Sequence, residues 1–98
     1  MTTTLPARVT VSPNVLCQVL GDESVLLNLD DDRYYGLDDV GTRMWQLLAE
    51  DGDVATVVTQ LLTTYGAQVD EATLRDDLGA LIARLTAAGL LRVEAAAG

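Results

Sequence analysis

The stretch from Val25 to Leu48, VLLNLDDDRYYGLDDVGTRMWQLL, constrains the fold more than any other part of the chain. It opens with an apolar run, Val25, Leu26, Leu27 and Leu29, and breaks at three consecutive aspartates, Asp30, Asp31 and Asp32. Aspartate favours turns because its side chain bonds to nearby backbone N–H groups and tolerates the left-handed region. A second short strand follows, Arg33 to Leu37, with Tyr34 and Tyr35 side by side. Asp38 and Asp39 end it and start a helix whose Val40, Met44, Leu47 and Leu48 fall at i, i+4, i+7 and i+8. Carboxylates there accept from free N–H groups and favour the positive end of the helix dipole. One segment therefore supplies a hairpin and a helix folded back on it. It holds no nucleophile–base pair and no metal cluster, so it is suited to holding something rather than reacting with it.

The flanking residues complete the outline. Val15–Leu20 is a strand, and Gly21-Asp22 is a hairpin turn in which glycine supplies positive φ. Ser24–Leu29 is apolar at nearly every position, which suits a middle strand covered on more than one side. The helix after Asp39 runs from about Val40 to Glu50, with Gly52 as a left-handed stop. Asp53 caps a second helix, in which Val54, Val57, Val58, Leu61, Leu62 and Tyr65 make one helical face. Asp70 caps a third, with Leu74, Leu78, Leu81, Ile82 and Leu85 inward and Gly89 after its end. Leu90–Val93 reads as a last extended segment. Residues 1–13, rich in Thr and carrying Pro6 and Pro13, read as a flexible tail, extended where Arg8-Val9-Thr10-Val11 alternates, and residues 95–98 as a frayed end. The expectation is one α+β domain over residues 14–94: a winged-helix-like, three-stranded antiparallel sheet followed by a three-helix bundle.

Charge and composition exclude several functions. Fifteen acidic against six basic residues give a formal net charge of −9, and the six arginines are scattered singly. Nucleic-acid binding needs a clustered basic face, so it is not expected. With one cysteine and no histidine, an internal disulfide and a Cys/His zinc site are both ruled out. Cys17, inside an apolar run, reads as a buried core thiol. No long apolar window suggests a membrane span and no basic-then-apolar start suggests a signal peptide, so the expected location is the cytoplasm.

The candidate sites are few. Asp30, Asp31, Asp32, Asp38 and Asp39 are dense enough for a metal loop, but their spacing lacks the alternation of an EF-hand, and turn and cap duty accounts for each. Ser24, the threonines and Cys17 have no histidine to activate them; no enzyme and no cofactor are indicated. Tyr34 and Tyr35, adjacent in a strand, face opposite sides; the plain reading makes one core and the other solvated. The sharper reading concerns the strand itself. Arg33–Leu37 lies at a sheet edge with no proline or lysine to block it, and an extended peptide could pair there through its main chain. Trp45 falls beside the core stripe. Arg75, Asp76 and Asp77 flank the stripe of the third helix, either as solvated charges or as the polar wall of a groove.

Taken jointly, Leu29, Tyr34, Tyr35, Leu37, Asp38, Gly41, Trp45, Leu47 and Leu48, with the two later helices and the trailing Gly89-Leu90-Leu91, resemble the PqqD-like family. These are the recognition elements of pathways for ribosomally made, modified peptides. The likeness covers residues from about 14 to 94 and is greatest to the stand-alone form from lasso-peptide clusters. The resemblance implies a non-catalytic protein that binds the leader of a precursor peptide as an added strand on the third strand, beside the third helix. It also implies delivery of that peptide to a separate leader peptidase or other modifying enzyme, and leaders read through an aromatic residue and a proline. By position, Arg33, Tyr34, Tyr35 and Gly36 form one wall and Leu74, Arg75, Asp77, Leu78 and Ile82 contribute to the other. Val25 and Leu27 floor the pocket. A winged-helix transcription regulator and a general protein-interaction adaptor are the alternatives; the acidic third helix opposes the first.

Overall fold

The corner between the tyrosine strand and the first helix fixes how the layers meet. Ser24 and Thr42 are both buried, and their hydroxyls share a 2.8 Å hydrogen bond. The Thr42 hydroxyl also reaches the Leu37 carbonyl at 3.5 Å. Asp38 caps the helix, accepting from the Gly41 N–H at 2.7 Å. A Cβ at Gly41 would meet that carboxylate oxygen at 3.0 Å, so the glycine lets the cap close tightly.

The computed structural model describes residues 5–94. In chain order the elements are β1 (Arg8–Val11), β2 (Val15–Leu20), β3 (Glu23–Asn28), β4 (Arg33–Leu37), α1 (Asp39–Glu50), α2 (Val54–Tyr65), α3 (Glu71–Ala87) and β5 (Leu91–Glu94). The class is α+β: an antiparallel sheet in the order β2-β3-β4, followed by three helices, with β1 and β5 forming a second, two-stranded sheet. In the larger sheet Leu26 pairs with Cys17 and Tyr35, while Leu27 pairs with Leu16 and Tyr34.

One core unites the helices with an inner sheet face, through Leu26, Leu37, Met44, Trp45, Leu61, Leu78, Leu85 and Leu90. The caps expected at Asp38 and Asp70 form, the second accepting from the Thr73 N–H at 2.8 Å. Asp53 holds the cap position of α2, but its carboxylate takes the Thr56 hydroxyl rather than a backbone N–H. The positive φ expected at Gly21 is present, and Gly89, placed after the third helix, also takes it.

Four expectations need correction. Arg8–Val11 is extended as its alternation suggests, but it is a strand of the folded unit and not tail: Val9 turns inward, where it is 2% exposed, and the segment pairs with β5. The folded unit thus reaches back past residue 14; residues 1–4 and 95–98 lie outside those described. Gly52 is not a left-handed stop. It is glycine because β1 passes over it: an added Cβ would stand 2.1 Å from the Val9 carbonyl oxygen. β3 is not covered on both sides, since Ser24, Leu26 and Asn28 are buried while Val25 and Leu27 are half-buried. Cys17 is exposed, because β2 extends beyond the cover of the helices and all its residues after Val15 face solvent.

Candidate functional site

Among the described residues β4 pairs with β3 on one side only, so its other edge carries unpaired backbone donors and acceptors. Its side chains divide between two faces. Arg33, Tyr35 and Leu37 share the inner face, where Leu37 is buried, Tyr35 half-buried against the core and Arg33 exposed. Tyr34 and Gly36 share the outer face, and Tyr34 is 70% exposed.

On the inner side a cavity of about 360 Å³ opens between the start of α1 and the stretch of α3 from Asp77 to Arg84. Val40, Gly41, Met44, Ala80 and Leu81 supply its apolar lining, and Asp38, Asp77 and Arg84 its charged rim. Asn28 anchors this arrangement. It is buried in the sheet, donates from Nδ2 to the Ala88 carbonyl at 2.9 Å and accepts from the Asp30 N–H at 2.9 Å. Because Asn28 pairs with Arg33, the C-terminal end of α3 lies at the Arg33 end of β4.

On the outer face, Leu16, Leu27 and Tyr34 form a row across three strands. They line a hollow of about 410 Å³ with Cys17, Gln18 and Val25. Gly36 leaves open space beside Val25, with nothing within 4 Å of where a Cβ would be. Of the exposed large apolar residues, Leu16, Val19, Leu20, Leu29 and Tyr34 belong to this sheet or its turn, leaving Val93 elsewhere.

The residues singled out from the sequence therefore fall into three groups. Val25, Leu27, Tyr34 and Gly36 lie together on the outer face. Val25 and Leu27 thus line the outer hollow and not a pocket against α3, because the pleat turns them away from it. Arg33, Tyr35 and Asp77 lie on the α3 side. Leu74, Leu78 and Ile82 are at most 3% exposed and belong to the core, while Arg75 turns to Glu71 at 3.0 Å. The α3 residues that do rim the cavity, Asp77, Ala80, Leu81 and Arg84, are spaced i, i+3, i+4 and i+7. That face sits next to the core stripe, and the stripe's larger apolar letters hid it.

The sequence matches the family described as coenzyme PQQ synthesis protein D (PqqD) over residues 23–91. The chain belongs to the PqqD family. The family match begins with β3 and ends at the start of β5, so β4 and the two helices that line the inner cavity, α1 and α3, all fall inside it. This PqqD-family chain is similar to a solved structure described as TbiB1 in complex with the TbiA(beta) leader peptide. The two are 35% identical with a TM-score of 0.79, over 88% of this chain and 98% of that one. A lasso peptide synthetase B1 complexed with the leader peptide shares the fold, at 24% identity and a TM-score of 0.74, over 88% and 99% of the two chains. No curated protein matches the sequence. Among the described residues no group of His, Cys, Asp and Glu is placed to hold a metal, and no helix is long and apolar enough to cross a membrane.

Proposed function

We propose that this PqqD-family protein is a non-catalytic adaptor that captures the leader of a ribosomally made precursor peptide and presents it to a separate leader peptidase or other modifying enzyme. The observation that carries the proposal is the open β4 edge, with a hollow at Tyr34 on its outer face and, on the helix side, a cavity between α1 and α3 that starts at Asp38, the residue after the strand. Similarity to TbiB1, whose solved structure holds a leader peptide, supports it. A strand added to β4 alternates its side chains. One set enters the cavity beside α3, and the other meets Tyr34 and the space over Gly36. The two groups of candidate residues, which no single pocket contains, both lie within reach of one extended peptide.

Magnitudes show why both faces matter. A net gain of about 0.5–1.5 kcal/mol per backbone hydrogen bond leaves a four-bond ladder short of the roughly 8 kcal/mol that micromolar affinity needs. Side chains anchored in the two hollows supply the difference. Tethering then makes the encounter between precursor and enzyme nearly intramolecular. A role in the cytoplasm agrees with this reading. The acidic exposed residues of α3, Glu71 and Asp77 among them, oppose a DNA-reading role for that helix.

The test is a fluorescence-anisotropy titration of labelled leader peptides from precursors encoded beside the gene. Saturable binding at micromolar or lower concentration is expected. No binding by any of them at roughly 100 μM, where a ligand gains only about 5.5 kcal/mol, would falsify the proposal.

A further inference from the structure

The rim of the inner cavity is charged asymmetrically. Asp77 and Arg84 stand seven residues apart on α3 and line the same space, so they are about 10.5 Å apart along the axis. Neither has an ion-pair partner among the described residues, whereas Arg75 is held by Glu71 and Arg8 by Glu94. The Asn28 bond to Ala88 sets the direction: Arg84, one turn before Ala88, lies toward the Arg33 end of β4. Asp77 lies two turns further on. It shares the cavity with Asp38, which follows the Leu37 end of the strand. Arg33, exposed on the inner face at that end of β4, stands outside the cavity lining. Of the three turn carboxylates beyond it, Asp31 accepts from the Arg33 N–H and Asp30 from Asn14, while the exposed Asp32 lies outside the cavity lining. Between the charged ends the lining is apolar, with Val40, Met44 and Leu81.

We propose that this groove reads the order of charges in the added strand. The inference rests on strand addition at β4. Residues on one face of a strand repeat every two positions, about 6.8 Å, so positions i and i+4 bracket the span from Asp77 to Arg84 and position i+2 sits over Met44 and Leu81. Antiparallel pairing, the commoner and slightly stronger arrangement, places the peptide's earlier residues at the Leu37 end. The ligand class is therefore a segment of the form basic–x–large apolar–x–acidic. The basic residue faces Asp38 and Asp77, and the acidic one faces Arg84. Charges in the reverse order meet like charges at both ends.

The experiment uses two labelled nonapeptides of identical composition, one centred on Arg-Thr-Tyr-Thr-Glu and the other on Glu-Thr-Tyr-Thr-Arg, titrated into the full chain at low salt. The basic-first peptide is expected to bind about four- to thirtyfold more tightly, from two exposed pairs gained against two repulsions. The gap should narrow in high salt. The Asp77→Arg/Arg84→Asp variant should invert the preference, and Asp77→Asn/Arg84→Gln should erase it; circular dichroism confirms that each variant is folded. Equal binding of the two peptides, or tighter binding of the acid-first one, overturns charge reading while leaving leader capture standing. So does failure of both nonapeptides when the full leader binds. Failure of the full leader as well removes strand addition and this inference with it.

Discussion

The β1–β5 ribbon and the β2-β3-β4 sheet are both short antiparallel assemblies, yet among the described residues the ribbon has one strand, β1, flanked on both sides, while both outer strands of the sheet are paired on one side only. In the ribbon, Val9 and Leu91 are buried and the backbone is locked from outside: the Val9 N–H donates to the Gly52 carbonyl at 3.0 Å and the Val54 N–H to the Ala7 carbonyl at 3.1 Å. β1 therefore has partners on both flanks. The larger sheet has no such seal. Among the described residues β2 and β4 each pair only with β3, and Leu16, Leu20 and Tyr34 remain at least 56% exposed. An open apolar edge invites unwanted pairing, and a chain able to cover one strand so thoroughly had the means to cover another. The contrast places stability in the ribbon and helices and binding in the sheet.

Mutations on either side of this divide should separate the two properties. The largest effect is expected at Leu78, which is fully buried among the helices. Leu78→Ala should cost about 2–5 kcal/mol in denaturant unfolding. Leader affinity measured on the folded fraction should stay within about twofold, a free-energy change near 0.4 kcal/mol. Next comes Gly52→Ala, whose methyl would collide with the β1 backbone and not with a side chain that can move away. Overpacking of this kind costs roughly 1–3 kcal/mol, again without loss of leader binding. Tyr34→Ala should do the reverse. At an exposed site stability should move by no more than about 0.5 kcal/mol, while leader affinity falls about five- to tenfold, near 1–1.4 kcal/mol. Coupled losses of stability and affinity at Leu78 or Gly52, or none of either at Tyr34, would break the division.

The sequence made the sealed region and the open one legible to different degrees. Periodicity found all three helices and the β2-β3-β4 meander, because those segments bury regular stripes and are bounded by Asp and Gly with local reasons to be there. β1 was visible only as a four-residue alternation among threonines. Its partner, β5, is some eighty residues away, and a pairing so distant leaves no local trace. The open edge of β4 was readable from the absence of blocking residues. Its helical wall was readable only in part. Apolar letters on α3 mark what is buried, so Leu74, Leu78 and Ile82 stood out; of the rim only Asp77 was among the residues expected there, while Ala80 and Arg84 are types common on any solvated face. Cys17 misled for a related reason: an apolar run signals burial only where something lies above it, and β2 projects past the helices.

The mildest test concerns the start of α3, the helix that walls the open side. The Asp70 carboxyl is held below the ordinary aspartate value of 3.8 by the Thr73 hydroxyl and then by the Thr73 N–H, both of which favour its charged form. Its contribution is therefore complete above that ordinary value and is lost as pH falls through the lower, folded-state value. Asparagine caps as well as aspartate but does not titrate, so Asp70→Asn should leave neutral stability nearly unchanged and flatten the acid response of the first turn. Amide exchange at Thr73 and Leu74, compared with Val9 in the ribbon, reads the difference directly. Acid should loosen the α3 start of the wild type before it reaches β1. If the Asp70→Asn variant loosens there just as readily, the cap is not the titrating group and the wall of the groove owes its order to packing alone.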